Sequence, residues 1–187
     1  MNAIKKVNLR SLLFHVLIPI MFAFIISMLV GDYSDYYNSI NKPLNVKEIV
    51  FPIVWSILYL LMGISAYLVD NSTDPKSDTA MRFYYFQLIL NLLWTPVFFY
   101  FKWRGVSALL TVALFIFVLV TMYKFYKINK VSGYLLIPYL VWTAFALYLT
   151  VGIYFLNIGK WLSQVKKFHF CESFFILPPL QKMWYNS

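Results

Sequence analysis

GVSALLTVALFIFVLVTMY, residues 105–123, is a run of 19 residues that contains no Asp, Glu, Lys or Arg. At 1.5 Å per residue, a helix of this length crosses the ~30 Å hydrocarbon core of a bilayer. Four more uncharged apolar stretches occupy residues 11–30, 49–69, 83–101 and 133–157. The sequence therefore predicts an all-α membrane protein, a bundle of five transmembrane helices.

The charged residues lie in the joints between these stretches and towards the two ends of the chain. Only 12% of the 187 residues are charged, about half the share that is usual in soluble domains. The net charge of +9 comes from Lys and Arg beside the spans, where such residues anchor helices at the membrane surface. We expect a lipid bilayer and no nucleic acid as partner. The chain divides into a basic lead (1–10), a membrane domain (11–157) and an interfacial or disordered tail (158–187).

Residues able to build a metal centre or a conventional catalytic site are sparse. Cys171 is the single cysteine, which excludes an intrachain disulfide and a cysteine-based metal cage. His15 and His169 are far apart in sequence, and neither has the spacing of a metal ligand. No nucleophile–base pair or carboxylate dyad is recognisable. We therefore expect no bound metal and no required cofactor.

Polar and aromatic residues share one face of the third span, QLILNLLWTPVFF (87–99). Gln87, Asn91, Trp94 and Phe98 follow helical spacing, so they project from the same side. Amides at membrane depth are costly unless they are paired, and this face should point inward. Two interpretations stay open: hydrogen bonds between helices, or a cavity whose polar groups orient a ligand.

Aromatic residues form similar stripes on the second and fifth spans. The stripes are Trp55, Tyr59 and Met62 on one span, and Pro138, Trp142, Ala146 and Leu149 on the other. Their depths differ, so they form a column rather than an interfacial belt at one level. Such a column suits a flat apolar ligand. Loop 1, residues 31–48 between the first two spans, supplies the donors Tyr36, Tyr37 and Lys42, which would meet polar or anionic groups at the mouth of the column.

Three segments resemble the translocator protein family, also called tryptophan-rich sensory proteins or peripheral-type benzodiazepine receptors. They are KPLNVKEIVFPIVWSILYLLMGISAYLV from Lys42 and Pro43 onwards, QLILNLLWTPVFF, and YLLIPYLVWTAFALYL. The resemblance implies a five-helix bundle with a central pocket for porphyrins, sterols and benzodiazepine-type drugs, and a homodimer. It places the porphyrin-contacting tryptophans, implicated in light-dependent breakdown of the pigment, at Trp55 and Trp142. It also implies pocket roles for Asn91 and Trp94, and a role in sterol and drug sensitivity for Ala146.

The chain departs from the family pattern at three places. Loop 1 of the family usually runs Lys-Pro-Ser-Trp-Thr-Pro-Pro, whereas here Lys42-Pro43 is followed by Leu-Asn-Val-Lys-Glu. The Leu-Asn pair usual in the fifth span reads Leu149-Thr150. The segment after Asn157 has no counterpart in the resemblance. These departures bear on the shape of the pocket lid.

The function that the resemblance implies is binding of a porphyrin-like tetrapyrrole (protoporphyrin or haem-like) as sensor, carrier or aid to light-dependent porphyrin breakdown. Trp55 and Trp142 would then be the reactive residues, acting through the pigment's own photochemistry. One alternative is a regulatory or structural partner of another membrane complex. Another is a small exporter, for which His15 is the single histidine or carboxylate at membrane depth. We expect an integral membrane location, in a bacterial plasma membrane.

Overall fold

The computed structural model describes residues 8–175 of the chain, with side chains for residues 8–159. This part forms seven α-helices and one π-helical turn: α1 Leu9–Val30, α2 Ser34–Ser39, α3 Val50–Asp70, α4 Ser77–Thr95, the turn Pro96–Tyr100, α5 Arg104–Ile128, α6 Lys130–Leu135 and α7 Ile137–Phe175. Helices α1, α3, α5 and the region Lys130–Gly159 are each long and apolar enough to cross a membrane. Helix α4 with the π-helical turn is the remaining span, so the predicted helical membrane bundle is confirmed.

The helix limits differ from the predicted ones in the third and fifth spans. Helix α4 begins at Ser77, six residues before the apolar stretch. The polar residues that precede the stretch are helical too and form the first turns of α4. The fifth span is divided at Leu136, whose N–H bonds to the carbonyl of Gly133 at 3.2 Å. Pro138 follows in the first turn of α7, a position that proline suits because its missing N–H has no helical partner there.

Helix α7 does not end at Asn157 but continues without a break to Phe175. Residues 158–175 thus continue the helix of the fifth span, and the interfacial or disordered character of the tail stays a prediction. Residues 176–187, and residues 1–7 of the basic lead, lie outside the described part of the chain.

Helix ends are set by local side-chain and backbone chemistry. The side chain of Asn8 caps α1 by accepting from the N–H of Ser11 at 3.3 Å. Helix α1 ends at Val30, and the cap residue Gly31 has a φ of 70° and a ψ of −153°, a conformation open to glycine because it has no Cβ atom. Asn129 caps α6 by accepting from the N–H groups of Val131 and Ser132.

Close approach of backbones joins the first, second and fifth spans. Helix α1 packs on α3 at Gly63, where a Cβ atom would lie 2.6 Å from the Cα of Val16. Helix α3 meets α6 through Ser65 and Ser132, whose hydroxyls lie 2.7 Å apart and are fully buried. Small residues permit such contacts between membrane helices, where van der Waals packing and hydrogen bonds replace the hydrophobic effect.

Loop 1 folds over one end of the bundle as a lid that includes α2. Tyr37 and Ile40 are buried there against Phe98 and Ile153. Asn157, at the end of the fifth span, holds the lid: its Oδ1 accepts from the N–H of Asn41 at 3.1 Å. Its Nδ2 donates to the carbonyl of Asn41 at 2.8 Å. The predicted fold of loop 1 over the bundle is therefore present.

Replacing Asn157 by alanine should loosen this lid. The change leaves the N–H and carbonyl of Asn41 without their partner, which should lower the free energy of unfolding by about 1–2 kcal/mol. Thermal unfolding of the purified protein in detergent measures the loss. Asn45→Ala, at an exposed loop 1 position, is the control and should change stability by less than ~0.5 kcal/mol. Equal losses in the two variants would contradict the assigned role of Asn157.

Candidate functional site

A small void lies between α3, α4, α5 and α7, below the lid. Its volume is about 30 Å³, and its walls are formed by Phe51, Trp55, Asn91, Trp94, Thr111, Leu114, Trp142, Thr143 and Ala146. The three tryptophans and Asn91 that the sequence predicts on inward faces are thus brought to one cavity. A second void, also of about 30 Å³, lies directly under the lid and includes Tyr37, Phe98 and Ile153 in its walls.

Phe51, Trp94 and Ala146 belong to the walls of both voids. They separate a space near mid-membrane from a space under loop 1. Pockets for drug-sized ligands are typically ~300–1,000 Å³, so neither void holds a macrocycle as it stands. A ligand of that size enters only if the side chains that separate the voids move.

The aromatic rings of the site stack on one another in pairs. Trp94 stacks on Phe98 with centroids 4.9 Å apart and an interplanar angle of 11°. Trp55 stacks on Tyr59 at 5.4 Å, and Trp142 meets Phe51 edge-on at 6.2 Å. These ring pairs lie between the lid and the centre of the bundle, and their use as a column for a flat ligand stays a prediction.

Two indole N–H groups in this wall are buried and unpaired. Nε1 of Trp94 and Nε1 of Trp142 have no acceptor among the described residues. A buried donor without a partner costs about 1–3 kcal/mol. Both indoles belong to residues of the cavity wall, so a bound molecule with acceptor atoms that reached these nitrogens would remove that cost.

A chain of buried hydrogen bonds runs below the cavity. Tyr139 donates from its hydroxyl to Oε1 of Gln87 at 2.6 Å and accepts from Nδ2 of Asn91 at 3.1 Å. Tyr59 donates to Oδ1 of Asn91 at 2.7 Å. Gln87 and Asn91 thus bond α4 to α7 and α3, as one of the two interpretations of their spacing predicts. Asn91 also belongs to the cavity wall. Its position is therefore consistent with both interpretations, hydrogen bonding between helices and a polar group in a cavity.

The structure places the other predicted site residues in different surroundings. Tyr36, Tyr37, Lys42 and Pro43 lie in the lid, where the ring of Pro43 fills the space that the missing side chain of Gly152 leaves. Pro138 is exposed on the outside of the bundle and is not in the wall of either void. Its position at the start of α7 turns its ring away from the column.

Several residues of the site were not anticipated from the sequence. Phe51, Thr111 and Thr143 belong to the cavity wall, and Tyr139 holds the hydrogen-bond chain. Tyr139 precedes Trp142 by three residues, so helical spacing alone gave a signal for it. Thr111 and Thr143 gave none, because each hydroxyl bonds to a carbonyl of its own helix, as threonines in apolar helices commonly do.

The histidine at membrane depth lies away from the cavity. His15 is buried on α1, where its Nδ1 donates to the carbonyl of Ser11 at 2.8 Å. Its Nε2 lies 3.5 Å from the carboxylate of Asp70, at the end of α3 opposite the lid. The residue on which the exporter alternative depends is therefore not part of the site.

The lid tyrosine Tyr37 is held neutral by its surroundings. Burial raises the pKa of its phenol, and the nearby carboxylate of Glu48 raises it further. The hydroxyl therefore stays protonated and donates to the carbonyl of Val46 at 3.2 Å. Lys42 lies on the same ring, with its Nζ 3.9 Å from the ring centroid and bonded to the carbonyl of Tyr37 at 2.8 Å.

The sequence profile described as the TspO/MBR family matches residues 15–156, which include the lid, three whole spans and most of the first and fifth spans. The chain belongs to the TspO/MBR family. It is accordingly an integral membrane protein, and the part of the chain from α1 to the end of the fifth span is the family's domain. The helical extension of α7 beyond Asn157 lies outside the match.

Relatives in bacteria and animals cover most of the same region. The chain is 37% identical to the tryptophan-rich sensory protein of Cereibacter sphaeroides over 114 residues, 60% of this chain and 71% of that protein. It is 36% identical to the tryptophan-rich protein TspO of Chlorobaculum tepidum over 127 residues, 66% and 80% of the two chains. It is 28% identical to the translocator protein of Sus scrofa over 152 residues, 77% and 88%.

Removing the hydroxyl of Tyr139 should destabilise the bundle more than removing that of Tyr59. Tyr139→Phe leaves one group on Gln87 and one on Asn91 unpaired, whereas Tyr59→Phe frees a single acceptor, so we expect losses of about 1–2 and 0.5–1 kcal/mol. Unfolding in detergent measures both. Tyr148→Phe, at an exposed position, should leave stability unchanged. A Tyr139→Phe protein as stable as the Tyr148→Phe control would contradict the assigned hydrogen-bond chain.

Proposed function

We propose that this TspO/MBR protein binds a flat, porphyrin-like tetrapyrrole in the aromatic column under loop 1. The observation that carries the proposal is the cavity wall itself, in which Trp55, Trp94 and Trp142 meet Asn91. Stacked aromatic walls favour a flat ring system, since offset stacking adds to the gain from burying apolar surface. The unpaired indole N–H groups of Trp94 and Trp142 favour a ligand with acceptor atoms over a plain hydrocarbon.

Binding requires the two voids to join. Phe51 separates them from the α3 side and Ala146 from the α7 side. Phe51 is in the first turn of α3 and only partly buried, so it can rotate towards the lid more readily than a core residue. We propose that rotation of Phe51, together with the lid, opens one continuous pocket. Sterols and benzodiazepine-type ligands are neutral competitors for the same space.

The tryptophans would also take part in light-dependent breakdown of the bound pigment. Indole is more easily oxidised than a phenyl ring, so Trp55 and Trp142 are the residues in the wall best suited to give an electron to a photoexcited macrocycle. The pigment supplies the photochemistry, and the protein supplies contact and exclusion of water. Sensing, carriage and breakdown all begin with this same binding step.

We also propose a bacterial plasma membrane as the location and a homodimer as the assembled form. Bacterial relatives of this chain support the location. Helix α1 supports the dimer, because it exposes large apolar side chains along its length, including Leu13, Leu17, Phe24 and Met28. A second copy would cover part of this face. Chemical cross-linking in native membranes tests the dimer. A monomer band with no dimer band after cross-linking would exclude it.

Titration with protoporphyrin tests the proposed binding, and Trp142→Phe is the decisive variant. If Trp142 stacks on the macrocycle, the change should weaken binding by about 1 kcal/mol, which is about fivefold. The absorbance spectrum of the pigment during titration measures this. Unchanged affinity in Trp142→Phe, and in Trp55→Phe, would contradict a pocket between these two rings.

Illumination of the same samples tests the breakdown activity separately. Under equal light, loss of pigment absorbance should slow in Trp142→Phe and Trp55→Phe, measured at saturating protein so that binding is equal. Tyr148→Phe is an exposed control and should bleach at the wild-type rate. Wild-type bleaching in both tryptophan variants would eliminate the reactive-tryptophan role and leave binding intact.

The separation of the voids predicts opposite effects for two substitutions in their shared wall. Phe51→Ala should join the voids and strengthen protoporphyrin binding, at a stability cost below the ~3–5 kcal/mol of a fully buried phenylalanine. Ala146→Leu should fill the space between them and weaken binding. Equilibrium titration measures both affinities. If folded Phe51→Ala protein binds protoporphyrin more weakly than wild type, the Phe51 ring contacts the ligand and does not block the passage between the voids.

A further inference from the structure

Two cations at the start of α5, Lys102 just before the helix and Arg104 as its first residue, lie on a lid tyrosine. Arg104 donates from Nε to the hydroxyl of Tyr36 at 3.2 Å, and its Cζ lies 5.9 Å from the ring centroid. The Nζ of Lys102 lies 5.2 Å from the same centroid. Among the described residues, Lys102 is the one non-glycine residue with a positive φ, 58°. Such a backbone carries a steric cost for residues other than glycine, so this lysine is held at a strained position next to the lid.

Neither cation has a carboxylate partner in the described part of the chain. The carboxylate of Glu48 in loop 1 accepts from Ser34 at 2.8 Å and from Asn38 at 3.0 Å. The ion pair found in the described part of the chain joins His15 to Asp70, at the opposite end of the bundle. Lys102 and Arg104 therefore rest on a neutral ring and hydroxyl, with their charge uncompensated.

Tyr36, whose ring lies next to both cations, also contacts the aromatic residues of the proposed binding space. The ring of Tyr36 meets Phe98 edge-on at 6.0 Å, and Phe98 stacks on Trp94. Trp94 belongs to the walls of both voids. Two ring contacts thus join the pair of cations to the proposed binding space, and a macrocycle on Trp94 would bring its rim to Tyr36.

We infer that Lys102 and Arg104 form an anion receptor at the mouth of the pocket, which binds the carboxylate groups of the ligand. Tyr36 occupies the receptor in the closed lid and releases Arg104 when a carboxylate takes its place. A carboxylate is the stronger partner, since charge-assisted bonds are about twice as strong as neutral ones and guanidinium binds carboxylate through two parallel bonds. The inference rests on the proposed tetrapyrrole binding and narrows the ligand to an anionic one.

The receptor gives the site a basis for selection. A porphyrin that carries carboxylates at its rim would satisfy both the stacking walls and the cations. A sterol or an esterified porphyrin would satisfy the walls alone and would leave Arg104 on Tyr36. Lysine and arginine beside a span commonly anchor it to lipid phosphates, and this membrane role is the outcome that the experiment must distinguish.

The experiment compares protoporphyrin with its dimethyl ester, which has the same ring and no charge. Full-length protein in detergent is titrated with each pigment, and quenching of tryptophan fluorescence reports binding. The variants are Lys102→Gln, Arg104→Gln and the double variant. Lys127→Gln is the matched control, because Lys127 also lies on a tyrosine ring, 5.3 Å from the centroid of Tyr123, but near the other end of α5.

The double variant should bind protoporphyrin about tenfold more weakly than wild type, with a smaller salt dependence, because two charge-assisted contacts are lost. Its affinity for the dimethyl ester should change by less than about twofold, and this result also shows that the variant is folded. The Lys127→Gln control should match wild type with both pigments. Equal losses for the two pigments, or no loss for either, would overturn the inference.

Two further outcomes are separable from these. Failure of wild-type protein to bind either pigment would refute the proposed function itself. Repeating the titration in nanodiscs of phosphatidylcholine and of phosphatidylserine distinguishes the source of the anion. A loss of protoporphyrin affinity in the double variant that appears only with phosphatidylserine would assign the cations to lipid headgroups and overturn the receptor.

Discussion

The hydrogen-bond chain from Gln87 through Tyr139 and Asn91 to Tyr59 is the constraint on which the bundle depends. In the hydrocarbon core no water is available to satisfy a polar side chain, so each amide must find its partner on another helix. The short O–H···O bonds to Gln87 and Asn91 fix the rotation of α4 against α3 and α7. That rotation brings Trp94 into the same wall as Trp55 and Trp142.

The lid depends on a second set of polar contacts at the membrane surface. Asn157 joins loop 1 to the end of the fifth span, and Gly152 leaves room there for Pro43. Loop 1 closes over the bundle because Tyr37 and Ile40 fill the space beneath it. This end of the bundle is therefore closed by side chains of the lid itself.

The sequence was informative where one physical requirement dominated. Uncharged stretches predicted the spans, and the costly amides Gln87 and Asn91 predicted an inward face. It was less informative for residues whose role depends on their neighbours in the fold. Tyr139 resembles an interfacial tyrosine until its hydrogen-bond partners on α4 are known. Pro138 follows the spacing of the stripe, but the division of the span at Leu136 places it outside. Helical spacing also cannot show that α7 continues to Phe175, since a polar segment forms a helix when an existing helix extends into it.

The polar face of α4 has a consequence for how the chain enters the membrane during synthesis. Helix α1 contains an 18-residue window with a mean hydropathy of 2.6, and its composition alone qualifies it as a span. Helix α4 carries Asp78, Arg82, Gln87 and Asn91 and does not qualify as a span by its own composition. The cost of its amides falls only when a partner helix is present. Tyr59 on α3 precedes α4 in the chain and can pair with Asn91 as soon as α4 enters the membrane, whereas Gln87 finds its partner only when Tyr139 of α7 has followed.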